Sequence, residues 1–261
     1  MAFPRQVLDP AERRRLGRPV RGFDARPAYR RAVTWLVLLG PPGLLLVFAA
    51  LYHLVYGPRW VGVAAVPLAV GYLGGLGWTV RGGALRGRGS AVYLFASGLV
   101  RVSREGTTPY RWEELTGVTV TGVQPKPGRP TRWRFAVTAA GGGGFEVGDE
   151  LPGVRELGDV LVSEITRRVL PAYLAAIEEG RALRFGPFIV SGEGVEKDGR
   201  RVPWESVGDA GSGNGLVYVR RRDGSGTLSA TAGEVPNAVA FAVLCRRVRE
   251  APAGSPRRPA R

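Results

Sequence analysis

Residues 33–56, VTWLVLLGPPGLLLVFAALYHLVY, and residues 61–80, VGVAAVPLAVGYLGGLGWTV, decide how the rest of the chain is read. Neither run contains Asp, Glu, Lys or Arg. A helix of roughly 20 apolar residues crosses a ~30 Å hydrocarbon core, and both runs reach that length. Only Gly57-Pro58-Arg59-Trp60 separates them, and Gly and Pro there stop one helix and let the chain reverse. The expected element is a membrane α-helical hairpin over 32–81, with spans at 33–56 and 61–80. A signal peptide does not fit. The leader is too long for an n-region, the first run is too long for an h-region, and a second run follows at once.

Arginine placement sets the orientation. Arg13, Arg14, Arg15, Arg18, Arg21, Arg26, Arg30 and Arg31 precede the first run, and Arg81, Arg86 and Arg88 follow the second. The turn carries only Arg59. Positive loops stay on the cytoplasmic side, so a multi-pass protein of the cell membrane with both termini cytoplasmic is expected. Gly40-Pro41-Pro42-Gly43 should kink the first helix. Gly71 and Gly75 have small-xxx-small spacing and are candidate helix-packing positions. His53, the single histidine, counts to the outer interface.

The 261 residues carry a formal charge of +15, nearly all from Arg, with Lys only at Lys126 and Lys197. Arg with abundant Gly, Ala and Val is also the composition of a high-GC genome, a second origin for the charge. Arg30, Arg31, Arg81, Arg86 and Arg88 are candidate contacts for anionic lipid head groups, each gaining roughly 1 kcal/mol near such a surface. The leader 1–31 and the tail 251–261 are rich in Pro, Gly, Ala and Arg and are expected to be disordered.

From Ser90 onward short runs rich in Val, Thr, Tyr and Phe alternate with Gly and Pro, the pattern of antiparallel strands. A helical periodicity follows over 152–179, with Pro171 expected to bend it or begin a second helix. Strands then return, and a last helix is expected over 236–249. Gly141–Gly144 and Gly211–Gly215 read as hairpin loops. The halves match locally: Tyr110-Arg111-Trp112-Glu113-Glu114-Leu115 parallels Val202-Pro203-Trp204-Glu205-Ser206-Val207. Two β-rich copies, each closed by a helix, outline tandem domains at 90–180 and 181–250, the second shorter. Trp112 and Trp204 read as core.

The Gly-Leu/Val strand, turn, and strand leading to Trp-x-x-Leu/Val resemble bacterial pleckstrin-homology-like (PH-like) domains. The whole chain is similar to an actinobacterial family of uncharacterised two-span membrane proteins. Leu170-Pro171 and Arg184-Phe185-Gly186-Pro187-Phe188 are further landmarks. The resemblance implies an α+β cytoplasmic region of two PH-like β-sandwich or barrel units, each capped by a C-terminal helix. It implies no activity.

The inventory of chemistry is short. One cysteine, Cys245, excludes an internal disulfide, and with a single His the chain lacks the residues of nucleophilic triads and His/Cys metal sites. Neither Gly-rich segment has the Lys-Ser/Thr context of a phosphate loop. No catalytic residue, metal or cofactor is expected, and no nucleic acid. The expected function is that of a membrane-anchored, non-catalytic binding or scaffolding protein with a protein partner; recognition of anionic lipids at the inner leaflet is the alternative, and a membrane-associated enzyme a second.

Overall fold

The computed structural model describes residues 3–81, 90–124 and 131–250. Arg86 and Arg88, the segment 125–130 and the tail 251–261 lie outside them. The fold is α+β, with a long apolar helix near the N-terminus and antiparallel sheets downstream. The chain divides into two compact units, Met1–Pro109 with Glu150–Pro152, and Tyr110–Asp149 with Gly153–Arg261.

The first unit overturns the disordered leader expected over 1–31. Helix α1 spans Arg5–Arg13 and strand β1 spans Pro19–Asp24. Val7 and Ala11, one turn apart, are buried together with Leu16. They pack on Ala91, Tyr93, Phe95, Val100 and Val102. A fully buried Val or Leu contributes about 1.5–3 kcal/mol, so a few apolar residues order a segment that is otherwise basic. Their partners are β2 (Ala91–Phe95) and β3 (Gly98–Ser103). Strand β1 pairs antiparallel with β2, Phe23 opposite Val92 and Asp24 opposite Ala91. With β4 (Gly106–Arg111) the sheet order is β1-β2-β3-β4.

Between β1 and β2 the chain leaves the sheet for two helices, α2 (Arg26–Val55) and α3 (Arg59–Arg81), packed along each other. Helix α2 runs unbroken through Pro41 and Pro42. Its Tyr29–Val55 segment is long and apolar enough to cross a membrane, and only 11% of its apolar window is buried. That exposure is unlike the core helix of a water-soluble domain. The apolar stretch recorded for α3 is shorter, Val66–Gly75.

The second unit begins with a sheet ordered β5-β6-β7, from β5 (Leu115–Val123), β6 (Arg132–Ala139) and β7 (Gly144–Gly148). Helix α4 (Val154–Glu178) follows, and Pro171 neither ends it nor starts another. Gly158 is where α4 meets β6: a Cβ there would lie 2.0 Å from the Phe135 ring. The sheet ordered β8-β9-β10-β11 comes next, from β8 (Leu183–Phe185), β9 (Phe188–Val190), β10 (Gly194–Lys197) and β11 (Arg200–Pro203). Then come β12 (Val207–Gly213), β13 (Leu216–Arg221), β14 (Thr227–Thr231) and helix α5 (Ala238–Glu250). Residues Gly211–Gly213, expected in a loop, belong to β12, and the turn is Asn214-Gly215. At Gly211 the cross-strand Tyr218 lies over the glycine: its Oη would be 2.7 Å from a Cβ there, so a larger residue would have to displace the tyrosine hydroxyl.

The internal repeat is written in the backbone. Trp112–Glu114 and Trp204–Ser206 each form a 3-10 turn, in place of the strand end expected from sequence. Each is followed by a strand whose register shifts at the same point, between Leu115 and Gly117 and between Val207 and Asp209. Glu150-Leu-Pro-Gly-Val154 and Glu234-Val-Pro-Asn-Ala238 lead into α4 and α5, and Gly153 and Asn237 both have positive φ, 72° and 55°. The expected boundary at 180/181 is not a boundary between compact units. Leu170, Tyr173 and Leu174 of α4 pack on the second repeat's core around Phe188, Phe241 and Leu244, so one helix serves both repeats of this unit.

Candidate functional site

The feature with the clearest functional content is the base of α2, where an apolar helix grows out of a folded sheet. One residue, Ala25, separates β1 from α2, and its N–H donates to the Ser90 carbonyl at 3.2 Å. Asp24 turns back on the helix start. Its Oδ1 accepts from the Arg26 backbone N–H at 2.9 Å and from Arg26 Nε at 3.0 Å, and its Oδ2 accepts from Arg26 Nη2 at 2.9 Å. Tyr93, from β2, closes the triangle: its hydroxyl donates to Asp24 Oδ2 at 2.8 Å and accepts from Arg26 Nη2 at 2.6 Å. Charge-assisted bidentate contacts of this kind are the strong ones. The joint is a latch, not a linker.

The electrostatics follow the geometry. Burial works to raise the Asp24 carboxyl, but the hydrogen bonds from Arg26 and Tyr93 outweigh it and hold the carboxyl below its ordinary value. Burial, then the facing Asp24, pushes the Tyr93 hydroxyl up. Sequence reading missed this joint because its members are far apart in the chain. The pattern Asp-x-Arg before an apolar run was its only local signal.

Among the candidate lipid contacts, Arg30 and Arg31 are exposed in the first turns of α2, a helix start with no acidic residue in its first turn. Arg81 is the last residue of α3, while Arg86 and Arg88 are outside the described residues. The candidate packing residues Gly71 and Gly75 do not bring the helices together: a Cβ at either would meet nothing within 4 Å. The close approach is at Gly43, where a Cβ would lie 2.3 Å from the Tyr72 ring, and the Tyr72 hydroxyl donates to the Leu39 carbonyl. Spacing identified small residues on α3, but among the described residues a glycine of α2 and a tyrosine of α3 make the close approach. Cys245 is fully buried, and burial pushes its thiol up to about 12, so little thiolate exists near neutral pH.

The chain matches the family of unknown function DUF6585 over residues 1–256. It belongs to that family. The match takes in α1 and β1 as well as the apolar helices and both repeats, so DUF6585 describes the assembly and not the repeats alone. No curated protein and no solved structure matches the chain.

Proposed function

We propose that this DUF6585 protein is a membrane-anchored, non-catalytic scaffold that holds tandem PH-like units against the cytoplasmic face for a protein partner. The observation that carries the reading is the Asp24–Arg26–Tyr93 latch. It fixes the apolar helix to a sheet with a single intervening residue, as a platform held at a membrane needs and a flexibly tethered domain does not. The twofold order of four strands, three strands and a helix supports the PH-like reading. Charge supports the orientation, with both α2 and α3 crossing and both termini inside.

Impermeant maleimide labelling tests it, because the native Cys245 is buried and silent. Tyr56→Cys, 80% exposed between α2 and α3, should label in intact cells. Leu216→Cys, 45% exposed in the second repeat, should label only after permeabilisation. The reverse pattern, or release of the chain by alkaline carbonate, would sink the reading. For the partner, photo-crosslinkers at Leu216 and Val239 in native membranes should give one discrete heterologous adduct. Adducts only to lipid or to the chain itself would overturn the scaffold.

A further inference from the structure

Helices α2 and α3 do not close on each other along their whole length. Near the base of α2 they leave an apolar groove of about 250 Å³, lined by Trp35, Leu36 and Leu39 of α2 and Gly71, Tyr72 and Gly75 of α3. Gly71 and Gly75 make the space, since a Cβ at either would meet nothing within 4 Å beyond its own stretch of helix, among the described residues. The Tyr72 hydroxyl and the Leu39 carbonyl on its wall are hydrogen-bonded to each other, and the rest of the lining is mostly apolar, so the groove has little to offer water. A groove of this kind facing lipid fills with hydrocarbon.

Charge identifies the lipid. Arg31 lies one turn below Trp35, about 6 Å along the helix, and Leu39 lies about 12 Å from Arg31. An acyl chain lying against Leu36 and Leu39 therefore places its head group at Arg31, which flanks the groove one turn below Trp35, whereas Arg30 falls on the opposite face of α2 at about 100° per residue. Arg31 is exposed, and the helix start adds its own positive end. The neighbouring carboxylate, Asp24, is held by Arg26 and Tyr93. Trp35, 56% exposed, sits where an indole meets the head-group layer.

We propose that this groove is a binding site for one anionic phospholipid, its phosphate on Arg31 and one acyl chain between Leu36, Leu39, Gly71 and Gly75. The proposal rests on the membrane reading given above, and it deepens that reading by naming the ligand class.

The test uses the full chain, reconstituted with phosphatidylglycerol or phosphatidylcholine, extracted in mild detergent and analysed by native mass spectrometry. One phosphatidylglycerol should be retained per chain, and phosphatidylcholine should not. Gly71→Leu with Gly75→Leu fills the groove without a backbone clash and should cut retention at least tenfold. Arg31→Gln should cut it roughly fivefold while leaving the groove intact, and Arg30→Gln, on the opposite face of α2, should leave retention unchanged. Equal retention of the two lipids, or retention unchanged in the filled groove, overturns the site. So does a dimer crosslinked through Gly71→Cys, which would put a second copy in the groove. Release of the chain by carbonate overturns the membrane reading and this site together, whereas membrane retention without a selective adduct overturns the site alone.

Discussion

The side chain of Asn237, in the second repeat, pairs with Val118, in the first, as a neighbouring strand would. Its Oδ1 accepts from the Val118 N–H at 2.9 Å, and its own backbone N–H donates to the Val118 carbonyl at 2.8 Å. Its Nδ2 donates to the Thr116 carbonyl and to the Tyr173 hydroxyl, both at 2.9 Å. Strand β5 is the edge of its sheet, and an unpaired edge is a template for unwanted pairing. One residue from the other repeat caps it.

Asn237→Gly should therefore be costly even though glycine accepts the positive φ. The repeat itself supplies the control, since the matching position in the first copy is Gly153. Three side-chain hydrogen bonds are lost and buried backbone groups of β5 are left open, a loss of about 2–4 kcal/mol. Denaturant unfolding of the full chain in detergent reads the stability. Hydrogen exchange should speed at Val118, whose N–H the amide holds, before it does on β13. Unchanged protection on β5 would mean the amide is not what holds the edge.

Acid should loosen the joint between β1 and α2. The carboxyl of Asp24 is held below its ordinary value of 3.8, so its contribution is fully present above that pH. It is lost as the pH falls through the depressed folded value. Tyr93 shifts the other way, so its contribution is present below the ordinary 10.0 and fades above it. The joint should be flat between roughly pH 4 and 10. Limited proteolysis after Arg21 across pH measures it. Asp24→Asn should cleave readily at every pH and lose the acid dependence, at a cost of about 1.5–3 kcal/mol for hydrogen bonds to a charged group.

What the sequence made legible tracks how local the cause is. Strands β5, β10 and β13 lie among the short Val-, Thr- and Tyr-rich runs that read as antiparallel strands after Ser90, because each strand's pattern lies within itself. The apolar helix α2 is legible for the same reason. Strand β1 is not, since its pairing partner β2 lies beyond both apolar helices and Pro19-Val-Arg-Gly alternates nothing. Helix α1 contains Pro10 and few apolar residues, so its amphipathic face shows only once β2 and β3 supply the surface it covers. For the groove, sequence found Gly71 and Gly75 but could not say whether a glycine admits a helix or leaves a space.

Gly158 tests how tightly α4 sits on its sheet. An exposed helical Gly replaced by Ala gains about 1 kcal/mol. Here the added methyl meets the buried Phe135 ring, which stacks beside Trp133. Overpacking of this kind costs about 1–3 kcal/mol, so Gly158→Ala should destabilise on balance. A melting temperature that rises would show that Phe135 swings aside and that the contact is loose.

Trp204 separates packing from hydrogen bonding. Its ring is 4% exposed, and its Nε1 donates to the Ser191 carbonyl at 3.0 Å, tying the 3-10 turn to the end of β9. Trp204→Phe keeps most of the ring area and orphans that carbonyl, so a loss of about 1–3 kcal/mol is expected. Trp204→Ala removes the ring as well and should cost about 3–5 kcal/mol. The difference between the two variants, read by urea unfolding, isolates what the ring contributes by packing. If Phe and Ala cost the same, the hydrogen bond and not the ring holds the turn, and Trp204 is free to be read as something other than core.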